Sequence, residues 1–406
     1  MPTLTERILG APAGEYVDRP VDRAFAHDGT GVLTLEAWKR MKTKILAHPE
    51  RLYLIFDHIA PAHTSTSATL QHELRDFARS HGLHFSDVGG GICHQFMAEG
   101  EVLPGEVVVG ADSHTCTLGA FGAFATGVGA TDMAAIWMTG STWFRVPGSI
   151  AIWLSGQLEQ PAEAKDLALT YTGDLGMDGA AFMALEFIGE GTSSLSMDAR
   201  LTVCNLSVET GAKNGIFYAD ELTRRYFAGF GKSVETQYEE KPSYADKFEI
   251  DLRNIGPVVA VPPRVDTIRP VSDLQGLEID QVFVGTCTNG RYEDLARLAG
   301  ILKGKKVMVR TIVAPASRSV LQKAAISGVL EDIITAGCVL VPPGCGPCLG
   351  AHLGVLGEKE VCISTANRNF VNRMGVGGEV YLASVSTAAA SALRGELTVP
   401  EVPCER

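Results

Sequence analysis

An α/β fold built on parallel sheets is what this sequence predicts, and three observations predict it. Short apolar runs alternate with helical patterns along most of the chain, the grammar of strand–helix–strand units. The chemically distinctive residues follow the carboxyl ends of those runs, the edge at which open α/β sheets bind ligands. Hydrophobic residues make up 46% and charged residues 20% of the 406 positions, and 44 are glycine. That is ample material for buried cores and for many tight turns.

The elements follow in order. Residues 51–56 (RLYLIF) read as a strand that stops at Asp57-His58. Leu70, Leu74, Phe77 and Ala78 then share a helical face, with 64–67 (TSTS) to cap its start and Gly82 to end it. A strand-like run over 83–88 leads to 89–94 (GGGICH), and 107–109 (VVV) runs into Asp112-Ser113-His114. The Gly/Ala-rich stretch 119–129 suggests closely packed backbone. Residues 150–158 read as a strand, 173–179 as a turn-rich connection, and 201–208 lead to Glu209. The more polar stretch 226–270 contains the link into a last domain, placed at 251–270.

The last third repeats the grammar. Strand 281–284 (QVFV) ends at 285–291 (GTCTNGR), and Leu295, Leu298, Ala299 and Leu302 follow at helical spacing. Strand 306–313 and helical segments 317–325 and 329–335 lead to strand 338–341, which ends at 342–348 (PPGCGPC). Strand 361–364 runs into Asn367-Arg368-Asn369. Two such sheets facing each other would enclose a cleft, with cysteines on one wall and acid–base residues on the other.

Composition excludes several classes. The content of apolar residues rules out a mainly disordered chain. A net charge of −12 gives no support to nucleic-acid or anionic-membrane binding as the main role. The first residues, MPTLTERILG, lack the charged and apolar blocks of a signal peptide, and no apolar run reaches a membrane span. The expectation is a soluble, cytoplasmic protein. Nine cysteines, at 93, 116, 204, 287, 338, 345, 348, 362 and 404, are odd in number and too sparse for a disulfide scaffold.

Cys345-Gly346-Pro347-Cys348 is a C-x-x-C in a Gly/Pro-rich turn, and the next plausible thiol partner is Cys287. Three thiolates without a clear fourth suit an iron–sulfur cluster with one iron left open. Zinc and unliganded structural cysteines are the alternatives that spacing alone leaves standing. Asp57, His58, His94, Asp112, His114 and Glu209 form a carboxylate–imidazole set of the kind that moves protons near neutral pH. Their bland reading is turn caps. Asp57 cannot orient His58 inside a regular strand, so the two must sit in a loop. Arg368 and Arg373 flank Phe370, and arginines clamp carboxylates bidentately, which points to a di- or tricarboxylate; a surface ion-pair network is the alternative. There is no phosphate-loop motif, and 127–132 (GVGATD) departs from the dinucleotide fingerprint at its last position.

These residues fall into stretches that resemble the aconitase superfamily, and within it the large subunits of 3-isopropylmalate dehydratase and homoaconitase. The stretches are Asp57-His58, 91–95 (GICHQ), 110–115 (GADSHT), Cys204-Asn205 with Glu209, 287–291 (CTNGR), 344–348 (GCGPC) and 367–370 (NRNF) with Arg373. They occur in family order from about residue 5 to 400. The resemblance implies three α/β/α domains around a central cleft, at 1–147, 148–264 and 265–406. It implies a [4Fe–4S] cluster held by Cys287, Cys345 and Cys348, with the fourth iron open. By position, His58 with Asp57 would protonate the leaving hydroxyl. Asp112 with His94, and Glu209 with His114, look like supporting pairs. Arg368 and Arg373 look like carboxylate clamps, and Asn205, Asn289, Asn367 and Ser113 like further groups on the substrate side. Two positions depart from the usual pattern: Thr286 where Ser is commoner, and Asn372 where many relatives have Gly.

Single-chain aconitases carry a further mobile domain that supplies the base. No stretch here resembles it, so this swivel domain is expected on a separate small subunit, in a heterodimer or heterotetramer. The expected activity is hydro-lyase isomerisation of a hydroxy di- or tricarboxylate, foremost 3-isopropylmalate/2-isopropylmalate in leucine biosynthesis. Homoaconitase, 2,3-dimethylmalate and citraconate/methylmalate chemistry are the alternatives within the class. A cluster-free RNA-binding protein and a zinc-stabilised structural subunit are the alternatives outside it.

Overall fold

The computed structural model describes residues 1–42, 44–238 and 241–401; Cys404 lies outside them. The chain forms two compact units. One comprises residues 1–155 and 178–250, the other 156–177 and 251–406.

The first unit contains a five-stranded, fully parallel sheet in the order His84–Ser86, Leu52–Ile55, Arg23–His27, Val107–Gly110, Phe124–Gly127. Ala24, Ala26, Leu52, Leu54 and Val109 face a core completed by Leu35 and Trp38, Leu74 and Phe77, and Met133 and Trp137 from three helices. Phe25, Tyr53, Ile55 and Val108, on the alternate face, are equally buried. Burial on both faces is why these strands read as unbroken apolar runs. The helix Ser65–His81 begins and ends where its sequence indicates. Thr64 Oγ accepts from the Ser67 N–H at 3.1 Å, and Gly82 takes a left-handed φ of 70°.

A four-stranded sheet in the same unit runs Asn214–Phe217, Ala184–Ile188, Ser149–Ser155, Asp246–Asp251. Its first three strands are parallel. Tyr16–Pro20 and Ser141–Arg145 form a separate antiparallel pair.

The second unit holds a seven-stranded sheet ordered Ile268–Pro270, Val258–Ala260, Glu379–Leu382, Val361–Ser364, Gln281–Val284, Arg310–Val313, Val339–Leu340. The last five strands are parallel; Val258–Ala260 pairs antiparallel on both sides. The parallel expectation therefore meets an antiparallel edge. The compact units also cut the chain differently from boundaries at 147 and 264. The helix Ala164–Leu175 packs on Val258–Ala260 and Ile268–Pro270, so both segments belong to the C-terminal sheet. That helix runs on to Leu175 through a stretch whose glycines suggest a turn. Gly173 lies inside the helix, and its glycine answers close packing and not a turn: a Cβ there would come within 2.6 Å of Ile268 Cγ1. No helix among the described residues is long and apolar enough to cross a membrane.

The close packing expected of 119–129 is found at Gly119, in the 3-10 segment Ser113–Phe121. A Cβ there would lie 1.9 Å from the carbonyl oxygen of Gly215, a backbone atom that cannot swing away. Gly119→Ala is expected to destabilise the chain by about 1–3 kcal/mol or more. Urea unfolding checks this: the midpoint falls with an unchanged slope.

Candidate active site

Parallel pairing puts the carboxyl ends of all five strands of the first sheet on one edge. Three strands end at or next to His27-Asp28, Asp57-His58 and Asp112-Ser113-His114, and the strand His84–Ser86 leads to the helix Cys93–Ala98, which carries His94. Asp57 and His58 lie in the loop after Leu52–Ile55. Asp57 Oδ1 lies 2.6 Å from His58 Nδ1, and Asp57 Oδ2 accepts the Cys93 N–H at 2.7 Å. His94 Nε2 stands 3.0 Å from Asp112 Oδ1. His114 Nε2 stands 2.9 Å from Oε1 of Glu209, which lies in the 3-10 turn Ser207–Thr210. The structure thus brings together all three expected pairs.

Asp112 is the hub of this group. Its side chain accepts the His114 N–H at 2.8 Å, capping the 3-10 segment. Four imidazoles surround it: His94 at 3.0 Å, His27 at 3.6 Å, His114 at 3.7 Å and His58 at 3.9 Å. Burial alone would raise the Asp112 carboxyl, but His94 and His114 hold it well below the usual carboxylate range. Burial alone would depress His58, but Asp57, Asp112 and Asp28 push it up to about 10 from its ordinary 6.5. The arrangement pairs a fixed anion with an imidazole that keeps its proton at neutral pH, the equipment of a general acid.

Sequence reasoning missed His27 and Asp28. Asp28 Oδ1 accepts the N–H groups of Asp57 (3.3 Å) and His58 (2.9 Å), and Oδ2 accepts that of Ile59 (2.8 Å) and the Gln71 side-chain amide (3.2 Å). One carboxylate therefore fixes the backbone of the whole acid-bearing loop. The rule that located the other residues, polar groups at a strand end, would have found this pair in 23–28 (RAFAHD). Ser113 Oγ lies 3.4 Å from His114 Nδ1, and buried Asn205 donates to Thr117 Oγ at 2.7 Å.

The second unit repeats the principle with sulfur. Gln281–Val284 ends before Cys287, Val339–Leu340 before Cys345 and Cys348, and Val361–Ser364 before Asn367-Arg368. All three cysteines are buried, and none of the described cysteines is in a disulfide. Asn367 donates to Cys287 Sγ at 3.2 Å, and Arg373 Nη2 to Cys348 Sγ at 3.5 Å. Asn289 donates to Asp294 at 2.9 Å while its own buried Oδ1 has no partner. Arg368 is half-buried. Among the described residues, the group of His, Cys, Asp and Glu donors that closes within 4.8 Å is His27, Asp28, Asp57 and His58 rather than the cysteines.

The two departures from the usual pattern have physical accounts. Asn372 takes a left-handed φ of 64°, which Asn tolerates, and its Oδ1 accepts the Gly377 N–H at 2.8 Å. Thr286, a β-branched residue, is held at φ 76°, a strained conformation immediately before Cys287. Sequence reasoning also missed Lys165. It is fully buried, and its Nζ donates to the carbonyls of Thr365 (2.8 Å) and Ala366 (2.5 Å), just before Asn367. Burial pushes this ammonium down to about 7, against the pull of Cys287 and Cys348.

Comparison with known proteins places the chain in a family. The model of the Aconitase family (aconitate hydratase) matches residues 6–275 and 269–395. A probable methanogen homoaconitase large subunit of Methanosarcina mazei is 53% identical over 94% of this chain and 98% of its own. The 3-isopropylmalate dehydratase large subunit 1 of Methanopyrus kandleri is 46% identical over 98% of each. The methanogen homoaconitase large subunit of Methanocaldococcus jannaschii is 43% identical over 98% of this chain and 99% of its own. In fold, the chain resembles the crystal structure of Thermococcus kodakaraensis aconitase X, with a TM-score of 0.52 at 13% identity, covering 86% of this chain and 84% of that one.

The raised His58 makes a pH prediction. Its protonated form persists below about pH 10 and is lost as pH rises through that value. Asp57, Asp112 and Asp28 sustain it, with the His27 ring packed beside it. Asp57→Asn should bring the alkaline fall of kcat/KM to lower pH and cost about 10²–10⁴-fold in rate. A pH profile whose alkaline limb does not move would contradict the assignment.

Proposed function

Because the chain belongs to the aconitase family, we propose that it is the large subunit of an iron–sulfur hydro-lyase acting on a substituted malate. The reaction is isomerisation by dehydration and rehydration: a hydroxyl and a neighbouring hydrogen leave, an alkene forms, and water returns in the opposite sense. The observation that carries this reading is Asp112, a single carboxylate ringed by four imidazoles at the edge of a parallel sheet.

The residues divide the work. His58 gives its Nε2 proton to the departing hydroxyl, while Asp57 holds Nδ1 and stabilises the charged ring. Asp112 with His94, and Glu209 with His114, keep the remaining protons in place. Arg368 and Arg373 grip substrate carboxylates, which guanidinium groups do bidentately. Asn205, Asn289, Asn367 and Ser113 are proposed as further polar contacts. The orphaned Oδ1 of Asn289 is consistent with a partner that arrives with the substrate.

Cys287, Cys345 and Cys348 are the residues that would hold a [4Fe–4S] cluster. The donor chemistry fits it: three buried thiols, an amide on Cys287, a guanidinium on Cys348 and the buried Lys165 ammonium all suit an anionic, sulfur-ligated group. When bound, such a cluster supplies a Lewis acid with one iron coordination position open. A zinc site would need a fourth ligand and tighter spacing. Cys345→Ser is expected to abolish cluster assembly. Iron and acid-labile sulfide assays on anaerobically reconstituted chain should give about four irons in the parent and a collapse in the variant; stoichiometric zinc instead would overturn this assignment.

The base that takes the carbon-bound hydrogen is proposed to come from a small subunit, since relatives are named as large subunits. The leading substrate is 3-isopropylmalate. Homocitrate chemistry is the second reading, favoured by the 53% identity to the Methanosarcina mazei protein. The test is isomerisation of 3-isopropylmalate and of homocitrate by the reconstituted chain with and without its small subunit, followed as alkene absorbance. Activity in the pair alone is expected. Full turnover by the isolated chain would sink the split-enzyme reading, and the preferred substrate decides between the two names.

A further inference from the structure

His27 is the last residue of the strand Arg23–His27 and pairs in register with Ile55, the last residue of the neighbouring strand. Its ring lies flat against that of His58, with centroids 3.7 Å apart and planes 20° apart. His27 is buried and sits on a hydrogen-bonded ladder, whereas His58 sits in a loop beyond it.

The hydrogen bonds assign the His27 tautomer. The Gly29 N–H donates to His27 Nδ1 at 3.1 Å, so that nitrogen carries a lone pair. The ring proton is therefore on Nε2, which faces Asp112 Oδ2 at 3.6 Å. His27 is thus anchored through Nδ1 to the Gly29 N–H, with Asp28 Oδ1 3.9 Å from the same nitrogen and Asp112 facing Nε2.

His58 needs such a neighbour. Asp28 fixes its backbone N–H and Asp57 fixes its Nδ1 edge. Asp112 faces Nε2 at 3.9 Å, too far for a hydrogen bond. These contacts leave the ring free to tip about the Nδ1 contact, and tipping swings Nε2 off its direction. A flat surface packed against one face removes that freedom. We propose that His27 is a positioning residue for the proton donor His58, a flat imidazole plate that fixes the plane of the acid's ring and hence the direction of its Nε2–H. The proposal rests on the reading of His58 as the acid.

The same four residues, His27, Asp28, Asp57 and His58, bring potential metal-binding atoms within 4.8 Å of one another. Their donors are already spent. Asp28 accepts four N–H groups, Asp57 serves His58 and Cys93, and His27 Nδ1 serves Gly29. The group is a hydrogen-bonded support and not a cation site.

The experiment uses two variants and two readouts. His27→Phe keeps a flat ring and loses both nitrogens; His27→Ala loses the plate. In the cluster-free chain with ¹⁵N-labelled histidine, the His58 Nε2–H resonance, identified by its loss in His58→Asn, should persist in the parent and in His27→Phe and broaden away in His27→Ala. In the holoenzyme with its small subunit, His27→Ala should lower kcat about 10-fold or more, since small misplacements of a catalytic group are costly. KM should stay within about threefold, and His27→Phe should recover most of the loss. A sharp His58 signal with parental kcat in His27→Ala, or a His27→Phe no better than His27→Ala, would overturn the proposal. The resonance is read without cluster, partner or substrate. A parent holoenzyme inactive on every substituted malate would defeat the functional reading, while the NMR comparison would still decide the role of His27.

Discussion

The acid–base group at the first sheet's edge is organised around one partly buried anion. Asp112 stands among four imidazoles, His27, His58, His94 and His114. A buried carboxylate without compensation would take up a proton. Here the histidines on either side, and the N–H of His114 at the start of a 3-10 segment, keep it ionised. The anion in return fixes which imidazole nitrogens carry protons. Of these histidines only His27 sits on a strand; His58 lies in a loop, His94 on the helix Cys93–Ala98 and His114 in the 3-10 segment Ser113–Phe121. The parallel edge brings these segments together, and hydrogen bonds such as Asp28 to the His58 N–H hold them there.

The second unit meets a related problem with sulfur. Buried thiols that become thiolates need hydrogen-bond donors and positive charge nearby. The Asn367 amide on Cys287 is a neutral donor, Arg373 on Cys348 a cationic one, and Lys165 is anchored to the two carbonyls before Asn367. Lys165 comes from a helix far away in the chain, which the sheet's antiparallel edge brings back. Thr286 is held in a left-handed conformation immediately ahead of the first of these cysteines. Backbone strain of this kind persists only when the surroundings over-determine it. Its Oγ, bonded to the Thr288 N–H at 3.1 Å and the Thr288 hydroxyl at 2.7 Å, is part of that enforcement.

Much of this was legible in the sequence for identifiable reasons. Strands buried on both faces leave unbroken apolar runs, so 281–284 and 361–364 could be located to the residue. The helix Ser65–His81 carries its cap and its stop in the sequence. The three imidazole–carboxylate pairs were nameable because the family resemblance implies them, and the structure finds each pair within 3.0 Å. What escaped has causes too. Arg23–His27 is a central strand with an arginine at one end and a histidine at the other, so it lacks the apolar signature, and His27-Asp28 went with it. Lys165 on a helix reads as a solvated face; only the tertiary fold reveals carbonyls waiting for it. Gly173 reads as a turn because its reason for being glycine, the Ile268 side chain, is remote in sequence.

The placement of protons follows from the same logic. A proton donor to a departing hydroxyl must hold its proton at neutral pH and yet release it on demand. An isolated imidazole, with an ordinary value near 6.5, would be mostly deprotonated at neutral pH. Three nearby carboxylates correct this for His58, while burial opposes them. The excess is useful because a leaving hydroxide is far more basic than imidazole, so even a strongly held proton transfers downhill once the bond to carbon breaks. The carboxylates could equally have captured the proton themselves, but Asp28 is saturated with N–H donors and Asp112 is held by its histidines. On the proposed reading, the carboxylates around His58 keep one ring charged, and the stacked His27 ring keeps it aimed.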